Sequence, residues 1–473
     1  MVLGAFDMKK MSVVFTCAAT VAMLSCATAA TASASAPVTA SAKAAESDAP
    51  VEVRFVQQLS DTLAGGNTEQ ALALFDAMPE GTENNADLQM LKASLLLTSG
   101  REGEAESLAK SLLAANPNDV NILSLNVMVA KNKGDTATKS RLLKQIIAID
   151  PGNADANMEL GDEQALKRSY RNALAYYKKA VDSEPTNTDA LFSYGKMSYY
   201  LRSDAEARAY FERVLAIDPE NAQALAYLGK LEGESRRFRA ACDYLNRAIR
   251  SDPANTEYYL DLGTYTRYTG DYAGAEAAWK KAVALNPDYF LGYAYLAGLC
   301  DEQDRFDDAY DYYRKVVEKN PQYFYAYESL GMLAWKKGNW TEARSAFEKA
   351  REKNPQNISY ALMIAATYWK ANDIAGMKKS TEAAMKGMDR QSLDYAVLRM
   401  FHDMGGDGGV VQKVASEQNS TKKGKFLYYM ALYYDLKNNP SLAGKYYAEV
   451  TSMRDPMFFE YRLAEWSVAD GAK

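Results

Sequence analysis

Proline returns at one interval through the middle of this chain. Pro117, Pro151, Pro185, Pro219, Pro253, Pro287, Pro321 and Pro355 each lie 34 residues after the one before. A fixed period of this length marks a supersecondary unit that is copied and stacked. Each unit of such an array touches only its neighbours, so 473 residues need not be shared among several globular cores. The working part of a stack is usually its surface, which lowers the expectation of an enzyme.

The stretch from Thr256 to Tyr289 reads most clearly. Tyr259, Leu262, Gly263 and Thr266 form one stripe at helical spacing. Gly270-Asp271 interrupts with turn chemistry. A second helical pattern places Ala275, Trp279, Ala282 and Val283 on one face. Asn286-Pro287 ends it, because proline has no N–H to donate and restricts the residue before it. The unit is helix, tight turn, helix, break.

Small residues predict how the two helices meet. Gly161, Gly195, Gly229, Gly263, Ala297 and Gly331 hold one position of the first helix; Ala173, Ala207, Ala241, Ala275, Ala309 and Ala343 hold one of the second. Glycine inside a helix costs up to about 1 kcal/mol, so its recurrence needs a packing reason. Helix axes approach closely only where neither side chain intervenes, and Tyr177, Phe211, Leu245, Trp279, Tyr313 and Phe347 are placed to fill the space beside them. Asn153, Asn187, Asn221, Asn255 and Asn357 stand where they would cap the next first helix, so units join without linkers.

These motifs resemble the tetratricopeptide repeat family, whose pattern of large residue, Leu-Gly, Tyr, Ala, aromatic, Ala and Pro is followed from Glu52 to Pro456. The resemblance implies an all-α, right-handed superhelical solenoid of antiparallel helix pairs, about twelve repeats long. Repeats ending at Pro185 through Pro355 match best. Lys139 stands where Ala belongs, Asp389 where a further proline belongs, and the next unit is glycine-rich at Gly405-Gly406-Asp407-Gly408-Gly409. Register returns with Leu427-Tyr428, Ala443 and Tyr446-Tyr447. Residues 52–456 are thus expected to form the array, and 457–473 a capping helix and tail carrying Phe458, Tyr461, Leu463 and Trp466.

The amino-terminal residues carry a different signal. Lys9-Lys10 precede an apolar stretch from Val13 to Leu24, then Ala, Ser and Thr, as in a secretory leader. Ala22-Met23-Leu24-Ser25-Cys26 resembles a bacterial lipobox in which Cys26 would be acylated, although Met23 departs from the usual Leu. Cleavage after Ala27-Thr28-Ala29 is the competing reading, and a retained anchor a third, its apolar run being short for a span. Residues 1–26 are therefore expected to be a signal peptide and 27–51 a disordered Ala/Ser/Thr-rich tether. The expected location is the periplasm or cell envelope of a bacterium, with lipid on Cys26 as the membrane attachment.

The first helix of each unit has a second face, about 140° from the core stripe. In the family that face lines a groove holding extended or helical segments of partner proteins. Here it carries Lys196, Tyr199 and Tyr200; Lys230; Arg267 and Tyr268; Tyr325, Trp335 and Lys336; then Trp369 and Lys370. Glu234, Glu257, Asp301, Glu302 and Glu328 fall on it as well. Exposed aromatics mixed with Arg and Lys have the composition of interaction hot spots. The carboxylate clamp known in the family is missing, since its positions hold Phe192 and Lys196, Ala226 and Lys230, or Glu328 and Met332.

Other chemistries find little support. A net charge of −6 with both signs interspersed lacks the basic footprint of a nucleic-acid binder. One histidine, His402, and four cysteines supply no cluster of metal ligands, and Cys242 and Cys300 read as small buried hydrophobes. No cofactor, metal or catalytic residue is expected; Asp301-Glu302 and Asp307-Asp308 read as solvated helix faces. The expected function is a non-enzymatic scaffold of the cell envelope that holds a protein or peptide in its groove, within a multi-protein complex. The alternative is a carbohydrate-binding accessory in polysaccharide assembly or uptake, with the same aromatics as stacking platforms.

Overall fold

The computed structural model describes residues 51–454, 456 and 458–471. The signal and nearly all of the tether, Cys26 included, lie outside the described residues. Among these the chain is all-α: twelve helix pairs and one terminal helix, with no strand. A division into two compact units falls between Tyr227 and Leu228.

The first unit stacks hairpins such as Ala154–Leu166 with Tyr170–Ser183 and Thr188–Tyr200 with Asp204–Ile217. The second continues with Thr256–Tyr268 and Tyr272–Leu285, Phe290–Glu302 and Phe306–Lys319, Tyr325–Lys336 and Trp340–Lys353, and Ile358–Lys370 and Ile374–Met385. Consecutive helices pack on one another throughout each unit. In each repeat from Pro117 to Pro355 the second helix stops two residues before the proline. Asn286 shows the join: its N–H closes the helix onto the carbonyl of Ala282 at 3.0 Å, and Pro287 follows. The expected asparagine caps all form. Asn187 Oδ1, for example, accepts from the N–H of Ala190 at 3.0 Å, satisfying one of the free amides at the helix start.

The glycine–aromatic pairing holds in the same way. A Cβ on Gly195 would come 2.9 Å from the Phe211 ring, one on Gly331 2.9 Å from Phe347, and one on Gly161 2.5 Å from Tyr177. The six recurring alanines of the second helices are fully buried. The stripe expected on Thr256–Tyr268 is broader than its spacing suggests. Tyr258 and Leu260 are buried as well as Gly263, while Tyr259 and Leu262 are half-buried. A first helix packs on the helices before and after it, so more than one of its faces is covered.

Every turn inside a hairpin from the second pair to the eleventh passes through a residue with positive φ, and the eleventh has a second one, Met404. Gly100, Gly134, Arg168, Arg202, Arg236, Gly270, Asp304, Gly338, Asn372 and Gly406 have values between 55° and 88°. They are again 34 apart. Lys139, out of place in the repeat pattern, keeps its position by pairing with Glu159 at 2.9 Å and Glu163 at 3.5 Å.

The end of the second unit departs from regularity where the proline is lost. The short helix Asp407–Ser416 is followed by the long helix Ser420–Leu436, which packs on Ile358–Lys370 as well as on its own partner Pro440–Thr451. Its tyrosines Tyr428, Tyr429 and Tyr433 are buried. The terminal helix, Phe459–Gly471, packs on both members of that last pair.

Candidate partner-binding groove

In the first unit Lys196, Tyr199 and Tyr200 share the outward face of Thr188–Tyr200. Tyr200 is 43% exposed; its ring stacks on Tyr170 at 5.2 Å and its hydroxyl lies 3.3 Å from that of Tyr227. Tyr199 meets Tyr227 edge-on at 5.4 Å, and Phe192 joins the same cluster at 5.5 Å. Leu166, at the position of Tyr200 one repeat earlier, is 87% exposed. Together these residues form an apolar surface with a Lys196 rim, a composition suited to contact with another chain.

In the second unit the named residues separate into two groups. Lys230 pairs with Asp261 at 3.2 Å, and Arg267 donates to Glu302 at 2.6 Å, so both cations already have acidic neighbours from the next repeat. Burial pushes the Asp261 carboxyl up while Lys230 pulls it down; the hydrogen bond to Glu302 raises Arg267. Tyr268 is largely exposed and stacks on Phe238 at 4.8 Å. Tyr325, 84% exposed, is the most open aromatic among the described residues.

Trp369 behaves otherwise. It packs edge-on against Phe401 at 6.0 Å and Tyr433 at 5.8 Å, and Lys370 pairs with Asp435 at 3.1 Å. The irregular repeats that follow have turned against this part of the face. Trp335 keeps its place on the face, half-buried, with its ring 4.9 Å from Trp340.

The terminal helix occupies the face beside Trp335. Arg462 Nη1 lies 2.9 Å from Asp301 Oδ2, and Nη2 donates to the Asp301 carbonyl at 2.6 Å and to Asp304 Oδ1 at 3.1 Å. Trp466 meets Phe306 edge-on at 5.1 Å, and the Lys336 ammonium lies 4.9 Å from both ring centroids. Phe459 stacks near Phe347 and Tyr360 at about 6 Å from each. Burial raises the Asp301 carboxyl, and the attraction of Arg462 only partly offsets it. A cleft of about 550 Å³ remains between this helix and the first helices, lined by Asp301, Glu302, Ser329, Met332, Phe459 and Arg462.

The terminal helix thus makes contacts beyond the last hairpin, through Arg462, Phe306, Tyr360 and Phe459, residues that repeat reasoning did not single out. A signal was present: an acidic corner at Asp301, Glu302 and Asp304 in one repeat, and an Arg flanked by aromatics in the last helix. Cys300 is buried and Cys242 is half-buried, 3.5 Å from the Thr266 hydroxyl; neither is in a disulfide. Among the described residues no cluster could hold a metal ion, and no helix is long and apolar enough to cross a membrane.

Stacked helical hairpins with a face of first helices, on which one helix already lies, define a repeat protein of the helix-pair type. The match to a family model makes the class specific: residues 159–222, 260–324, 301–358 and 328–376 each fit the Tetratricopeptide repeat. Residues 159–222 and 260–376 of the chain are tetratricopeptide repeats. It is also similar to solved structures. MamA is 25% identical over 34% of this chain and 95% of its own, with a TM-score of 0.32. The pilF protein of Pseudomonas aeruginosa is 20% identical over 44% and 94%, with a TM-score of 0.40. YrrB, described as a TPR protein with an unusual peptide-binding site, is 18% identical over 39% and 95%, at 0.33. No curated protein matches the sequence.

Proposed function

We propose that this chain is a non-enzymatic interaction scaffold of the bacterial cell envelope that holds a protein or peptide partner against its first-helix face. The observation that carries the reading is the terminal helix itself: a helix of thirteen residues meets three first helices, through Arg462 on Asp301, Trp466 beside Lys336 and Phe459 beside Tyr360. A surface that accommodates one helix through an arginine and two aromatics has the chemistry of helix-in-groove recognition. Tyr200, Tyr268 and Tyr325 are aromatic surface that remains open for such contact, with Lys196 beside the first of these. The envelope setting rests on the leader-like residues up to Cys26.

The test is capture from native envelope with the intact protein, compared with a Tyr199→Ala/Tyr200→Ala variant. Loss of a protein partner in the variant supports the reading. Retention of cell-surface glycan in place of any protein would replace it by the carbohydrate-binding alternative.

A further inference from the structure

The terminal helix makes contacts that capping does not require. A cap need only cover the last hairpin, Ser420–Leu436 and Pro440–Thr451, and Leu463 and Ala464 of the terminal helix are buried. Arg462 instead reaches 161 residues back to the carbonyl of Asp301 and also pairs with the carboxylates of Asp301 and Asp304. Trp466 lies over Phe306, and Phe459 lies beside Phe347 and Tyr360. Phe459, Arg462 and Trp466 stand at i, i+3 and i+7, the spacing of one helix face. The fit is incomplete. An open cleft of about 550 Å³ lies alongside the helix, and Glu460 Oε2 is buried without a hydrogen-bond partner. The unpaired buried oxygen costs free energy in the closed state, and the cleft leaves room for further contacts, so a better-fitting helix has an advantage to exploit.

Resting on the scaffold reading above, we propose that the face of Phe290–Glu302, Tyr325–Lys336 and Ile358–Lys370 is a docking site for an amphipathic partner helix. That helix presents an aromatic, an arginine and a second aromatic at i, i+3 and i+7, and the chain's own terminal helix holds the site until it is displaced. The acidic corner of Asp301, Glu302 and Asp304 selects the arginine by charge, and Tyr360 on the face together with Phe306, at the start of the adjoining helix Phe306–Lys319, sets the spacing of the aromatics. Because the site is filled, an incoming helix meets an affinity reduced by the fraction of molecules that stand open.

The experiment uses the full chain and a fluorescent peptide of residues 458–471, FFEYRLAEWSVADG. The Arg462→Ala/Trp466→Ala variant should bind this peptide about tenfold or more tightly than the parent, since its own helix competes less well. Adding Asp301→Lys should abolish the gain. A variant that keeps its helix content and binds no better than the parent overturns the proposal. Should the variant fail to fold, hydrogen exchange on the unaltered protein decides. Saturating peptide should strip protection from residues 459–471 while sparing Tyr325–Lys336; protection of the terminal helix unchanged by peptide overturns the proposal. The peptide assay needs no native partner. Binding of peptide without capture of an envelope protein would sink the scaffold reading, whereas a captured partner that ignores the peptide would sink this one.

Discussion

Trp279 occupies the space that a side chain on Gly263 would need. A Cβ built on Gly263 would lie 2.6 Å from Cδ1 of the indole, whose Nε1–H donates to the Leu260 carbonyl at 3.1 Å. Glycine is thus required by the partner across the hairpin, and Gly263→Leu should destabilise the protein by about 1–3 kcal/mol through overpacking. Gly298 is the control: it lies in Phe290–Glu302 with nothing within 4 Å of its would-be Cβ. Gly298→Ala should stabilise by up to about 1 kcal/mol through helix propensity alone. Thermal melting of both variants checks the pair, and a common direction of change would contradict it.

Glu460 makes stability depend on pH with a definite sign. Its side chain is buried, Oε1 lies 3.0 Å from the Tyr429 hydroxyl, and burial raises its carboxyl above the ordinary value of 4.5. Tyr428 and Tyr429 face it, and Lys425 exerts a weaker opposing pull. The folded state then binds the proton more tightly than the unfolded chain, so this contribution is full below the ordinary value and is lost as pH rises through the raised one. Glu460→Gln should remove that loss and melt higher than the parent at neutral pH. Melts from about pH 4 to about pH 8 would show the two curves converging on the acid side.

Exposed and packed aromatics of the face should separate cleanly on substitution. Trp369→Ala removes a ring held between Phe401 and Tyr433 and should cost about 2–3 kcal/mol. Tyr325→Ala, at 84% exposure, should change stability by no more than about 0.5 kcal/mol. Chemical denaturation reads both values. A partner that survives Tyr325→Ala and Tyr200→Ala unaffected would place its contacts elsewhere on the array.

Lipid attachment is testable apart from the fold. Cys26→Ala should abolish metabolic incorporation of labelled palmitate and release the protein from membranes in fractionation. Label retained in the variant would dismiss Cys26 as the acceptor, and absence of label from the parent would favour cleavage near Ala29.

The regular part of this fold was legible because its determinants are local and repeated. Pro253 and Pro287 mark helix ends, Asn255 caps the next start, and Gly263 and Ala275 report a close approach only nineteen residues or fewer from their partners. The left-handed turn position was hidden at Arg168, Arg202 and Arg236, because arginine does not announce positive φ as Gly270 does. Trp369 misled for another reason: it follows the groove pattern within its own repeat, but the irregular helices after Asp389 close over it. The meeting of Arg462 with Asp301 carries no period at all, and neither residue alone suggests the other.

The train of left-handed residues from Gly100 to Gly406 has a bearing on how such a chain changes length. A stretch cut between corresponding points of two turns begins and ends in the same backbone conformation. Gain or loss of one whole unit therefore leaves every junction with familiar geometry, whereas a deletion of any other size forces a mismatch at the splice. Growth and shortening of the protein are quantised by the hairpin turn.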